Sequence, residues 1–174
     1  NLSMNRSKRS IALDLATPDG KRIVHKLVRG ADVVAQNFRH GVAERLGIDY
    51  ETLSEINPSI IYCHNTAYGV RGPEAQKGGY DILSMAATGF LTGAAGRIDD
   101  GRLVAPLGFP AADISSSMFQ ALAICAALWH RERTGKGQRI DTSLLGAGVA
   151  IQASRLLSAE RFDGEQRESF LEEL

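Results

Sequence analysis

Arg9-Ser-Ile-Ala-Leu-Asp-Leu15 alternates apolar and polar residues, the pattern of a strand with one buried face. Thr17-Pro18-Asp19 then predicts a helix start, with Thr17 as the N-cap, Pro18 at the first helical position and Asp19 in the first turn. Ile23, Val24, Leu27 and Val28 form its buried stripe, and Gly30 ends it. The pattern next predicts a strand over Asp32–Gln36 and short helices over Val42–Leu46 and Tyr50–Ile56. Asn57-Pro58 stops the second of these, and Ser59–Cys63 reads as a further strand. Tyr80-Asp81 opens an apolar helix through Ile82, Leu83, Met85 and Ala86, ending around Gly89 to Gly96. A polar turn over Arg97–Arg102 and an extended stretch over Leu103–Pro110 follow. A long apolar helix runs from Asp113 through Ala121, Leu122, Ile124, Ala127 and Leu128 to Arg131, stopping near Gly135. Thr134-Gly-Lys-Gly137 is a tight turn, Gln138–Ser143 a strand, and a last helix begins near Leu144.

Strand, helix, strand, helix, strand, with helix in each connection, is the pattern of an α/β domain with a parallel sheet and helical crossovers. Such sheets bind ligands at the carboxyl ends of their strands. The loops to watch are therefore Asn37-Phe-Arg-His-Gly41 and the stretch from His64 to Lys77. The second is long and holds Gly69, Gly72 and Pro73, and long loops in compact domains are often functional.

The chain has 174 residues, enough for one domain, and 44% hydrophobic with 23% charged residues is a globular composition. Formal net charge is zero, and no basic block marks a nucleic-acid footprint. The opening residues lack the apolar core of a signal peptide, and no apolar run approaches a membrane span. Cys63 and Cys125 make no disulfide framework, which points to a reducing cytoplasm. The first residue is Asn, so the sequence reads as a piece of a longer chain. Residues 1–159 form the domain, and the mostly charged segment 160–174 leaves Phe162, Phe170, Leu171 and Leu174 without an obvious core.

No Gly-x-Gly-x-x-Gly follows a strand, Gly135-Lys136 lacks the preceding glycine of a phosphate loop, and Gly-x-Ser-x-Gly does not occur. His25, His40, His64 and His130 are scattered, with no partner at metal-ligand spacing. Asp113 remains, at the junction of a Gly/Pro-punctuated loop and the long helix, ahead of Ser115, Ser116 and Ser117. Two readings fit it. It is an N-cap, a position that favours Asp. Or it is a carboxylate kept ionised by the unpaired N–H groups and positive charge of a helix start, and so available as a nucleophile.

Taken together, several stretches resemble the family III CoA-transferases (the CaiB/BaiF family), the group that includes formyl-CoA transferase, carnitine CoA-transferase and the alpha-methylacyl-CoA racemases. They are Asn5-Arg-Ser-Lys-Arg-Ser-Ile-Ala-Leu-Asp-Leu15, Ala31-Asp-Val-Val-Ala-Gln-Asn-Phe38 and Gly41-Val-Ala-Glu-Arg-Leu-Gly47. Leu53-x-x-Ile56-Asn-Pro58, Gly79-Tyr-Asp81, Asp113 with its helix, and Arg133-Thr-Gly-Lys-Gly-Gln138 complete the set. The resemblance implies a Rossmann-like sheet that is part of an interlocked homodimer. It also implies further family segments before Asn1 and after Leu174. The implied substrates are an acyl-CoA and a carboxylic acid, with no permanently bound cofactor and no metal.

The resemblance makes Asp113 the catalytic carboxylate, passing through aspartyl-acyl anhydride and aspartyl-CoA intermediates, with helix-start N–H groups stabilising the oxyanions. It places Arg45 near the CoA phosphates or adenine, where a guanidinium suits bidentate contact; the alternative is a solvated helix arginine. Asn37 and Phe38 fall where adenosine or pantetheine would pass, or are loop packing. Lys77 falls close to a family lysine that contacts CoA. Tyr80 stands where the racemases place a histidine, and a phenol with an ordinary pKa near ~10 makes a poor proton shuttle. Transfer is thus favoured over racemisation, and a non-catalytic remnant is the third reading.

Overall fold

The structure is a computed structural model, and it describes residues 5–91, 98–99, 102–103 and 109–155. The extended stretch read over Leu103–Pro110 lies largely outside the described residues, as does the charged segment 160–174.

Arg9–Leu15 is not a strand. It runs extended and largely exposed, with no ladder partner among the described residues. Alternation marks a strand only where a neighbouring edge is available to pair with. Asp14 instead builds the turn into the first helix: its carboxylate accepts from the Ala16 N–H at 2.9 Å and its carbonyl from the Thr17 hydroxyl at 2.7 Å.

Helix α1 (Pro18–Val28) starts as predicted, with the Thr17 hydroxyl accepting from the Gly20 N–H at 3.1 Å. Leu27, placed in the buried stripe by its spacing, is 55% exposed; Val24 and Val28 do the packing. Strand β1 (Val33–Gln36) follows, then α2 (Val42–Leu46) and α3 (Tyr50–Ile56), both with the predicted bounds. Asp49 caps α3 through the Thr52 N–H at 2.9 Å.

Strand β2 (Ile61–Thr66) begins later than predicted and runs further. Its last three residues, His64, Asn65 and Thr66, fall in the stretch that the pattern assigns to the loop. They pair in register with Asp141, Thr142 and Ser143 of β5 (Gln138–Ser143), so two polar strand ends satisfy each other. The sheet order is β1–β2–β5, and both pairings are parallel.

Between β2 and β5 lie α4 (Asp81–Ala87), the two-residue antiparallel pair β3 (Ile98–Asp99) and β4 (Arg102–Leu103), and α5 (Ala111–Thr134). Residues 97–102, read as a turn, thus contain paired backbone. Helix α6 (Leu144–Ala150) closes the described order, capped by Ser143.

Successive strand residues face opposite sides of a sheet. Tyr62 therefore joins Val28, Ala43, Ile48 and Leu53 under α1–α3, while Cys63 faces Gln120 of α5, 3.7 Å away, on the other side. A second cluster of Met85, Leu91, Ala111, Ala112 and Leu144 ties α4 to α5 and α6. Helix α5 buries small residues, among them Ser115, Ser116 and Ala127, and exposes Met118, Leu122 and Trp129. The reading that no apolar run approaches a membrane span is corrected for α5. By length and composition it could cross a membrane, with a mean hydropathy of 1.4 over its most apolar window. Its polar Ser116, Ser117 and Gln120 face the cavity described below, and the Ser115 hydroxyl turns back to the Ala111 carbonyl.

Ser84 of α4 is fully buried, and its hydroxyl has no hydrogen-bond partner among the described residues. A buried unpaired hydroxyl keeps its desolvation cost. Ser84→Ala is therefore expected to raise stability by about 1 kcal/mol, read as an upward shift of the urea midpoint. A downward shift would mean that the hydroxyl has a partner.

Candidate active site

Helix α5 begins earlier than its sequence suggests. Pro110 is the N-cap residue, and Asp113 is the third residue of the helix rather than its cap. Proline has no N–H to leave unpaired and a fixed φ, so it suits a helix entrance. The Asp113 N–H would be one of the orphan donors of the first turn. It donates instead to the Asp81 carboxylate at 2.9 Å, from the first residue of α4. Asp81 thus performs the capping that the sequence assigned to Asp113, and it leaves the Asp113 side chain exposed.

A cavity of about 400 Å³ opens beside that side chain. Gln36 and Asn37 reach it from the end of β1, Asn65 from the end of β2, and Asp113, Ser117 and Gln120 from α5. It lies where an α/β sheet holds ligands, at the carboxyl ends of parallel strands. Thr142 donates to the Asn65 side-chain oxygen at 3.0 Å, and the Asn65 amide donates to the Ser116 hydroxyl at 3.4 Å. The Ser116 and Ser117 hydroxyls turn back to the Asp113 carbonyl at 3.1 and 2.8 Å. None of these bonds engages the Asp113 carboxylate. A second cavity of about 430 Å³, lined by Arg71, Phe119 and Ser143, shares Ser116 with the first.

The helix start does not pull the proton affinity of Asp113 below the ordinary carboxylate range. Burial raises the proton affinity of its carboxyl, and the negative charge of Asp81 raises it further. Together they outweigh the helix-end field, which favours the anion. The folded chain then binds this proton more tightly than the unfolded one. Asp113 contributes a stability that is lost as pH rises from the ordinary carboxylate range through its raised pKa. Asp81→Asn keeps an oxygen for the Asp113 N–H and removes the charge. The carboxyl carbon of Asp113 is expected to titrate at lower pH in this variant, followed by carbon NMR. A midpoint equal to that of the parent chain would exclude Asp81 as a cause.

The structure brings Asn37 and Asp113 to one cavity. Phe38 follows Asn37 in the chain, 37% exposed, with its backbone held by Gln36 and His64. Lys77 is fully exposed and paired with Glu74, whose hydrogen bond and charge raise the proton affinity of the ammonium. Its neighbour Gly78 lies against Arg39: a Cβ there would fall 2.6 Å from the Arg39 Nε. The loops after β1 and β2 therefore meet. Arg45 is exposed on α2, has no ion pair among the described residues and lines none of these cavities. Sequence reasoning missed Asn65, Ser117 and Gln120. Asn65 sits 48 residues before Asp113, while Ser117 and Gln120 sit inside an apolar helix, and only the fold aligns them.

The description "CoA-transferase family III" matches residues 1–172. The succinate–glutarate CoA-transferase of Agrobacterium fabrum is 42% identical over 87% of this chain and 37% of its own length. The acetyl-CoA:oxalate CoA-transferase of Acetobacter aceti is 38% identical over 88% of this chain and 39% of its own. The chain thus spans well under half the length of these relatives. A CaiB/BaiF family protein of Brucella suis superposes with a TM-score of 0.81 at 38% identity, covering 88% of this chain and 40% of that one. The match along almost the whole sequence agrees with the parallel sheet and its loop-end cavity: this chain belongs to CoA-transferase family III.

Proposed function

We propose that this chain carries the nucleophile and part of the coenzyme A site of an enzyme that moves CoA from an acyl-CoA to a carboxylic acid. One observation carries the reading: an exposed aspartate in the first turn of α5, its carboxylate unengaged among the described residues, beside a cavity lined by side-chain amides at the strand ends. The related enzymes named for succinate, glutarate and oxalate support a dicarboxylic acid as acceptor. Pairing of two chains and a cytoplasmic setting belong to the same proposal.

An Asp113 oxygen attacks the thioester carbonyl. The C–S bond breaks, CoA leaves as thiolate, and a mixed anhydride remains on Asp113. The thiolate then attacks the aspartyl carbonyl, and the anhydride C–O bond breaks to release the donor acid as a carboxylate. The aspartyl-CoA thioester so formed is attacked by the acceptor carboxylate, expelling thiolate again and making the second anhydride. Thiolate attack on the acceptor's carbonyl releases the new acyl-CoA and restores Asp113. No proton is gained or lost, and one difficult exchange becomes four easier displacements.

Each displacement builds negative charge on a carbonyl oxygen. The Asp113 N–H, which the sequence offered as a donor for it, is already bound to Asp81. The Asn37 side-chain amide lines the cavity and has no hydrogen bond among the described residues, so it is available to donate instead. The raised proton affinity of Asp113 suits a nucleophile, since a more basic carboxylate shares its electron pair more readily.

The test is intact-protein mass after incubation with acyl-CoA and hydroxylamine. A hydroxamate at Asp113 supports the covalent route. A folded, CoA-binding sample that gives none, but exchanges the acyl α-hydrogen with deuterated solvent, would move the reading to the racemases.

A further inference from the structure

We propose that His64 is a positioning residue that fixes the turn through which Asn37 and Phe38 meet coenzyme A. The inference rests on the preceding reading, in which that turn contacts the coenzyme.

Histidine 64 stands near the end of the central strand β2 and is only 4% exposed. One ring nitrogen, Nε2, lies 3.1 Å from the Phe38 carbonyl oxygen. A carbonyl only accepts, so Nε2 carries the hydrogen and donates it. The other nitrogen, Nδ1, faces Asp141 at 3.7 Å, beyond hydrogen-bond reach. Asp141 is held in turn by the Arg139 Nε, at 3.1 and 3.0 Å from its two oxygens, and Arg139 also faces Glu51 at 3.5 Å. The ring's hydrogen bond is thus aimed at a single backbone oxygen, with the Asp141–Arg139 pair of β5 behind it.

The turn it reaches has little else to shape it. Phe38 belongs to neither described core cluster. Its N–H donates to the Gln36 side-chain oxygen at 2.6 Å, and the Gln36 amide donates to the Tyr62 hydroxyl at 3.0 Å. Both ends of the Phe38 backbone are therefore fastened to the same face of β2, its N–H through Tyr62 and its carbonyl through His64. The residue between Gln36 and Phe38 is Asn37, which lines the Asp113 cavity. A turn held this way presents Asn37 to the cavity, with Phe38 next to it in the chain, without ordering them afresh when ligand binds. A buried imidazole in a sheet is costly unless its polar atoms are used. Here the donor is spent on the one segment that joins β1 to the site.

The experiment measures the Kd for coenzyme A by titration calorimetry, with binding stoichiometry, for the parent chain, His64→Leu, His64→Gln and Phe38→Ala. A merely structural role would lower the stoichiometry, through loss of folded protein, and leave Kd unchanged. Positioning predicts that His64→Leu weakens binding about tenfold at full stoichiometry, because the turn is misplaced. His64→Gln, whose terminal amide can donate to the same carbonyl, is expected within about threefold of the parent. Should His64→Leu fail to fold, His64→Asn, one methylene too short to reach, takes its place. Weakening by Phe38→Ala but not by His64→Leu would overturn the inference alone. If Phe38→Ala binds like the parent, the coenzyme does not use this turn, and the contact reading falls with the inference.

Discussion

Replacing Asp113 with alanine is expected to lower the rate of CoA transfer by about 10³-fold or more while leaving the chain folded, because nucleophile knock-outs in covalent enzymes lose activity on that scale. The argument for intact folding is specific. Among the described residues the Asp113 carboxylate caps no helix and belongs to neither core cluster. Ser116 and Ser117 bond to its backbone carbonyl, which alanine retains, and its N–H stays with Asp81. Burial and the neighbouring Asp81 both disfavour the charged form, so removing it relieves a cost rather than creating one. Thermal melting at neutral pH should show the variant at least as stable as the parent. Asp113→Asn should be equally inactive, since an amide neither attacks a thioester usefully nor forms an anhydride. The measurement is exchange of CoA between succinyl-CoA and glutarate, run beside the melts. Activity within tenfold of the parent in a folded variant would remove Asp113 from the chemistry.

A large effect on stability is expected at Gly137. Here the chain leaves α5 and joins the sheet, with the Gly137 N–H donating to the Pro58 carbonyl at 3.0 Å and the Gln138 N–H to the Ile60 carbonyl at 3.2 Å. A Cβ on Gly137 would fall 2.2 Å from the Ile60 carbonyl oxygen and 2.6 Å from the Ser59 carbonyl carbon. Both are backbone atoms of the segment that enters β2, so no side chain can swing aside to make room. Gly137→Ala should therefore cost about 3 kcal/mol or more, at or beyond the upper end of ordinary overpacking. Gly135, in the same turn, is the control. It has φ +71° and nothing within 4 Å of its missing Cβ. Alanine there meets only the left-handed backbone penalty of about 1–2 kcal/mol. Urea unfolding of both variants separates the two causes. Equal losses would mean that the β2–β5 approach is looser than its geometry.

Much of the fold was legible because its boundaries are marked by residues with one physical job. Asn57-Pro58 ends α3, Thr17-Pro18 starts α1, and Gly135 with Gly137 separates α5 from β5. Errors fell where a pattern depends on a distant partner. Arg9–Leu15 alternates like a strand but has no strand beside it. His64, Asn65 and Thr66 look like loop until Asp141, Thr142 and Ser143 are set opposite them, more than 70 positions away. The site divides the same way. Asp113 and Asn37 were visible as a helix-entrance carboxylate and a strand-end amide. Asp81 read only as part of the opening of its own helix, and its grip on the Asp113 N–H spans a separation of 32 residues. The reaction itself came from the family resemblance, since the α/β pattern alone serves many chemistries.

The outward stripe of α5 has a consequence for chemical footprinting. Met118, Leu122, Cys125 and Trp129 recur at helical spacing, so the exposed Cys125 thiol sits in the middle of that stripe. Cys63, the other thiol, is buried, and burial together with Asp141 pushes its pKa up, away from the reactive thiolate. An alkylating reagent therefore meets two thiols of unequal reach, one inside the sheet and one on the open helix. Whatever comes to lie over α5 shields the second and leaves the first unchanged. The chain thus carries a built-in reporter of its own surface and, beside it, an internal reference.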